Sequence, residues 1–88
     1  MEIETIKVRI KEIINASAKL DPIKIEEKAH LHKDLKIDSL TLLEIALTID
    51  QEFKTNFSDD ELLMMESVQR AAEMVVGRLN GSSRALPL

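Results

Sequence analysis

The chain has 88 residues and a formal net charge of −4, with 44% hydrophobic and 32% charged residues, the profile of one small globular domain. With no cysteine, disulfides and thiolate metal sites are excluded, and with two phenylalanines as the only aromatics and a net negative charge, nucleic-acid binding is a poor fit. No apolar run is long enough to span a membrane, and MEIETIKVRI lacks the basic-then-apolar order of a signal peptide, so a cytoplasmic protein is expected.

Residues 3–17 read as an amphipathic helix, because Ile3, Ile6, Ile10, Ile13 and Ile14 share one face; Val8 falls outside it. Pro22 disfavours helical geometry in the residue before it and closes the segment at Leu20–Asp21. A long connection follows, Asp21 to Ile37, in which Ile23, Ile25, Leu31 and Leu35 are expected to tack the chain to the core, with a short helical turn near Glu26–Ala29. The central helix opens at Asp38, whose carboxylate suits an N-cap and puts Ser39 at the first helical position beside the positive end of the dipole.

That helix carries two apolar stripes. Leu42, Ile45, Ala46, Ile49 and Phe53 make the core face, while Leu40, Leu43 and Leu47 lie opposite, with Glu44, Asp50 and Gln51 in and around them. So short a chain has few elements with which to cover both, so the second stripe reads as a docking surface. Charge supports this: Asp38 to Glu66 holds eight acids against Lys54 alone, a net −7, whereas the flanks are +1 and +2. An acidic, leucine-bearing face favours basic partners.

Beyond Phe53, Lys54–Asn56 form a polar break, Phe57 a buried plug, and Ser58 with Glu61 a capping box for a short helix to about Glu66. Leu62 and Met65 should face inward there, and Leu63 and Met64 outward. Ser67 caps a last helix with an inner stripe of Val68, Ala71, Ala72, Val75 and Leu79, and Gly81 is its expected terminator. No stretch alternates with period two. The expected fold is all-α, a small four-helix bundle of three main helices and a short third, with a long loop between the first two, formed by residues 1–80 and followed by a flexible tail, 81–88.

With that order of elements, Asp38-Ser39-Leu40 acquires a meaning. The chain resembles the acyl carrier proteins: Asp34-Leu35 upstream of the triplet, Glu52-Phe53 closing the helix, Ser58-Asp59-Asp60-Glu61, and Ser67-Val68-Gln69 all match that family's pattern over about Ile3 to Leu79. The resemblance implies that Ser39, between Asp38 and Leu40, carries 4′-phosphopantetheine, transferred from coenzyme A by a phosphopantetheinyl transferase. It also implies a monomer that is not itself an enzyme. Acyl-loading and acyl-transferring enzymes with basic patches would dock on Leu40, Leu43, Glu44, Leu47 and Asp50, in fatty acid and lipid, polyketide or peptide assembly. A phosphodiester at a helix N-terminus also suits the free N–H groups and the dipole.

Three residues depart from the family's habit: Lys36 stands where glycine is frequent, and Lys33 and Thr41 where acids are. A core containing Ala46, Ala71, Ala72, Met65 and Met74 is expected to part for an acyl chain. The rival reading is an unmodified acidic helical interaction module. His30 and His32 flank Leu31 but lack a third ligand, so a metal site is not expected, and a Ser39–His32–Asp34 hydrolase lacks a nucleophile elbow.

Overall fold

The computed structural model describes residues 2–85, with side chains described for residues 2–80. Among the described residues it contains helices and no strands: α1 at Ile3–Ala18, a 3₁₀ turn at Pro22–Lys24, α2 at Ser39–Phe53, α3 at Asp59–Leu62 and α4 at Val68–Ala85. No helix is long and apolar enough to cross a membrane.

Helix α1 packs against both α4 and α2, and its isoleucine face explains why. Ile6, Ile10, Ile13 and Ile14 are buried against Ile45, Ala46 and Ile49 of α2 and Val68, Ala71, Ala72 and Val75 of α4 in one core. Ile3 packs at the edge of that core, while Val8 looks outward. The helix stops where Lys19 turns left-handed (φ 61°) and its N–H reaches the Asn15 carbonyl; the Asn15 amide then holds the Leu20 carbonyl at 2.9 Å. Pro22 therefore lies beyond the true stop and instead starts the 3₁₀ turn, which Asp21 caps through the Ile23 N–H.

The connection to α2 is pinned as expected, though by a different set of residues. Ile25, Leu31 and Ile37 are buried and Leu35 is half-buried, but Ile23 is 92% exposed at the tip of the 3₁₀ turn. A plain turn, closed by the Ala29 N–H on the Glu26 carbonyl, replaces the helical turn expected at Glu26–Ala29. Two backbone hydrogen bonds stitch the connection to the entrance of α4: the Leu31 N–H donates to Glu66 O at 2.8 Å, and the Gln69 N–H to Glu27 O at 2.8 Å. These satisfy polar groups that a long buried loop would otherwise strand.

The third helix is shorter than its pattern suggests. Both halves of the Ser58–Glu61 capping box are present, yet α3 ends at Leu62, and turns carry Met65 into the core and leave Leu63 and Met64 outside. Phe57 is half-buried under the Arg78 guanidinium, 4.6 Å from its ring centre. The Ser67 hydroxyl accepts from the Arg70 N–H at 3.0 Å and so caps α4. Leu79, placed on the inner stripe by spacing, is instead 37% exposed and outside the buried core. Gly81 does not terminate α4, which runs on to Ala85: a terminating glycine must turn left-handed, and no described glycine has positive φ. Part of the expected tail is thus helical, and residues 86–88 lie outside the described residues.

Among the described residues, two ion pairs join helices and two more, sharing Glu27, tie the first connection to α1. Arg9 grips Glu52 with two nitrogens at 2.9 and 3.1 Å (α1 to α2), Arg78 holds Glu61 at 2.7 Å (α4 to α3), and Glu27 receives Lys7 at 3.1 Å and Lys11 at 3.2 Å (loop to α1). Hydrogen bonds from Arg9 hold the Glu52 carboxyl below its ordinary value, those from Lys7 and then Lys11 do the same for Glu27, and the Ser58 N–H and then Arg78 for Glu61. The folded state therefore binds protons less readily than the unfolded chain. The stability this supplies is fully present above the ordinary carboxylate range and is lost as pH falls through the depressed native values. Urea midpoints should be flat from about pH 7 to 5 and fall steeply below about pH 4; a midpoint unchanged at about pH 3 would show these pairs to be energetically silent.

Candidate functional site

The second helix begins as its sequence dictates. Asp38, in extended geometry, accepts the Thr41 N–H on Oδ1 at 2.8 Å, and its carbonyl takes the Leu42 N–H at 2.9 Å. The Thr41 N–H, then the Thr41 hydroxyl and the Leu40 N–H, with a smaller contribution from the nearby His32, hold the Asp38 carboxyl below its usual range. Ser39 is the first helical residue and is exposed, and its hydroxyl has no hydrogen-bond partner among the described residues. One expectation narrows here: Asp38 already takes the Thr41 N–H and draws on that of Leu40, so a phosphate on Ser39 would have the dipole and fewer free N–H groups than an uncapped helix offers.

Lys36, two residues before the cap, has φ 62°. In that left-handed geometry a Cβ crowds the backbone, which is the physical reason glycine suits the position. Lys36→Gly should raise stability by about 0.5–1 kcal/mol, read as a higher urea midpoint; a lower midpoint would mean that the lysine side chain outweighs its backbone strain.

Ser39 stands at the edge of a cleft of about 230 Å³, whose floor is apolar: Leu42 and Leu43 from α2, Leu62, Leu63 and Met65 from α3 and the turn after it. His30, His32 and Glu66 complete its rim. The residues expected to part for a chain lie elsewhere. Ala46, Ala71 and Ala72 are sealed in the core, and Met74 packs at its edge, leaving Met65 as the one expected residue that the cleft shares. His30 and His32, read from sequence as a metal pair and His32 also as a partner of Ser39 and Asp34 in a hydrolase, both line the cleft with Ser39; no group of three side chains placed to hold a metal ion exists among the described residues. Their position two and four residues before Asp34-Leu35 was the available signal, but only the folded loop brings them back to the serine.

The outward stripe of α2 is present. Leu40 is 70% exposed and Leu47 40% exposed, with Glu44 exposed between them, while Leu43 is half-buried at the cleft. Leu63, on the far side of the cleft, extends this apolar surface. Asp50 is half-buried and has an internal role as well: its Oδ1 accepts the Thr55 hydroxyl at 2.7 Å and the Phe57 N–H at 2.8 Å, folding the α2–α3 loop back on the helix end. Thr55, read as part of a polar break, is buried by that clamp.

The site is therefore an exposed serine at a capped helix start, beside an apolar cleft. The family model described as the phosphopantetheine attachment site matches residues 8–75. The chain belongs to the acyl carrier protein family. It is 30% identical over 79 residues to an acyl carrier protein of Coprothermobacter proteolyticus, covering 90% of this chain and 96% of that one. It is also 32% identical over 71 residues to a mitochondrial acyl carrier protein of Neurospora crassa, covering 80% of this chain and 53% of that longer one. The acyl carrier protein of Enterococcus faecalis shares the fold, with a TM-score of 0.74 at 24% identity over 89% of this chain and 99% of that one. As a member of the family the protein is a carrier and not an enzyme, its prosthetic group is covalently attached phosphopantetheine, and it works with biosynthetic enzymes.

Proposed function

We propose that Ser39 is the attachment point of the 4′-phosphopantetheine arm, transferred from coenzyme A by a phosphopantetheinyl transferase. The observation that carries this reading is a hydroxyl left exposed and unbonded at the first residue of α2, inside the matched span. The arm's terminal thiol supplies the thioester chemistry. The chain supplies a dipole at the anchor, a cap that fixes the anchor's geometry, and an apolar cleft beside it. Leu42, Leu43, Leu62, Leu63 and Met65 give that cleft room for the first few methylenes of an acyl chain. Incubation of the apo protein with coenzyme A and a promiscuous transferase should add one phosphopantetheinyl mass; no addition would overturn the assignment.

We place partner docking on Leu40, Leu43, Glu44 and Leu47, extended by Leu63, with acyl-loading and acyl-transferring enzymes offering basic patches. Asp50 supports this face from behind by holding the α2–α3 loop. Leu47→Ala and Glu44→Lys should each weaken binding of such an enzyme by roughly tenfold, about 1.4 kcal/mol. Calorimetric titration reads this directly, and unchanged affinity in both variants would remove the surface from the interface. The carrier domain is assigned to residues 1–80 and acts as a monomer, and a cytoplasmic site of action accords with the bacterial relative.

A further inference from the structure

The cleft beside Ser39 holds two histidines that the backbone sets in opposite tautomers. His30 Nδ1 accepts the N–H of His32 at 3.2 Å and of Lys33 at 3.0 Å, so its neutral ring carries the proton on Nε2, 3.4 Å from a Glu66 carboxylate oxygen. His32 is the reverse. Its Nδ1 lies 2.6 Å from the Ile37 carbonyl oxygen, which can only accept, so Nδ1 carries the proton and Nε2 of the neutral ring keeps a lone pair. Nothing among the described residues bonds that Nε2, although His32 and Ser39 line the same cleft and His32 lies near enough to Asp38 to favour its carboxylate.

A phosphodiester on Ser39 needs donors, and Asp38 has taken the Thr41 N–H and draws on that of Leu40, which leaves the Ser39 N–H as the one amide of the first three that Asp38 does not engage. A neutral His32 would set a lone pair near the anion; an imidazolium would satisfy Ile37 with one N–H and a phosphate oxygen with the other. The titratable groups that share the cleft with it are His30 and Glu66, Asp38 at the N-cap of α2 lies near enough to feel it, and Lys33, Asp34 and Lys36 are its neighbours along the loop. We propose that His32 positions the phosphate of the arm, binding it as an imidazolium held between the Ile37 carbonyl and a phosphate oxygen. This rests on Ser39 as the anchor. It gives the arm a preferred exit on the cleft side of α2, with the residues Leu43 and Leu63 directly in its path.

The test is an NMR titration of apo and holo protein over about pH 5 to 8, following the histidine ring carbons and the ³¹P resonance. A phosphodiester does not itself titrate there. The His32 transition should move up by about half to one pH unit on modification, a threefold to tenfold gain in proton affinity. The ³¹P signal should step at the same midpoint, and the step should vanish in His32→Gln while persisting in His30→Gln. Equal His32 midpoints in apo and holo protein with a flat ³¹P signal would overturn the proposal, and so would a step lost only in His30→Gln. The wild-type comparison needs no variant to fold. Full mass addition to His32→Gln keeps the anchor separate: loss of addition in the wild type would strike Ser39, whereas a flat ³¹P trace on a fully modified protein strikes His32 alone.

Discussion

Ser39→Ala protein incubated with coenzyme A and a phosphopantetheinyl transferase should gain no mass at all, while unfolding within about 0.5 kcal/mol of the wild type. The loading effect is complete because the phosphate needs an oxygen to bond and alanine has none. Stability is spared because the fold makes no use of that oxygen: it is exposed and unbonded, and the cap is made by Asp38. Alanine is also a better helix former than serine. Asp38→Ala should do the opposite, lowering the urea midpoint by freeing the N–H of Thr41 while leaving a serine that can still be modified. Residual loading of Ser39→Ala, seen by intact mass, would mean a second acceptor and would remove the serine from its role.

Ile10→Ala should cost about 2–5 kcal/mol, out of a total of roughly 4–13 kcal/mol for a domain of this size. Ile10 is fully buried at the middle of α1, which packs against both α2 and α4, so the cavity opens where the main elements meet. Val8→Ala, two residues away on the 57% exposed outer face, should stay within about 0.5 kcal/mol. Urea denaturation followed by far-ultraviolet circular dichroism compares the two. A loss below about 1 kcal/mol for Ile10→Ala would show that the bundle closes over the gap, and that α1 is not the common support described above.

The helices were legible because each buries one stripe at helical spacing and little else competes with that signal. Ile6, Ile10 and Ile14, or Val68, Ala72 and Val75, announce their own inner faces. The caps at Asp38, Ser58 and Ser67 were equally local, each a side chain meeting an N–H three residues on. The loop before α2 was not legible, since Leu31 and Gln69 find partners in parts of the chain that are distant in sequence. Ile23 and Ile25 look alike in an aperiodic stretch, yet one is exposed and the other buried. The second role of Asp50 was hidden for a related reason: a helical wheel points it outward, but at a helix end the returning chain meets it with a hydroxyl and an N–H. At the site, Ser39 and the apolar face of α2 came from local pattern; the cleft and its histidines came only from the turn after α3 closing on the loop.

The stitches between the loop and the entrance of α4 also govern where this chain tolerates a change of length. At the outward tip around Ile23, an added residue would bulge into solvent and disturb little. Between Leu31 and Ile37, whose N–H closes back on the Leu31 carbonyl, one extra residue would rotate everything downstream and swing the anchor away from its histidines. Drift among descendants of this sequence thus has a permissive address at that tip, and the spacing from Leu31 to the serine behaves as a fixed ruler.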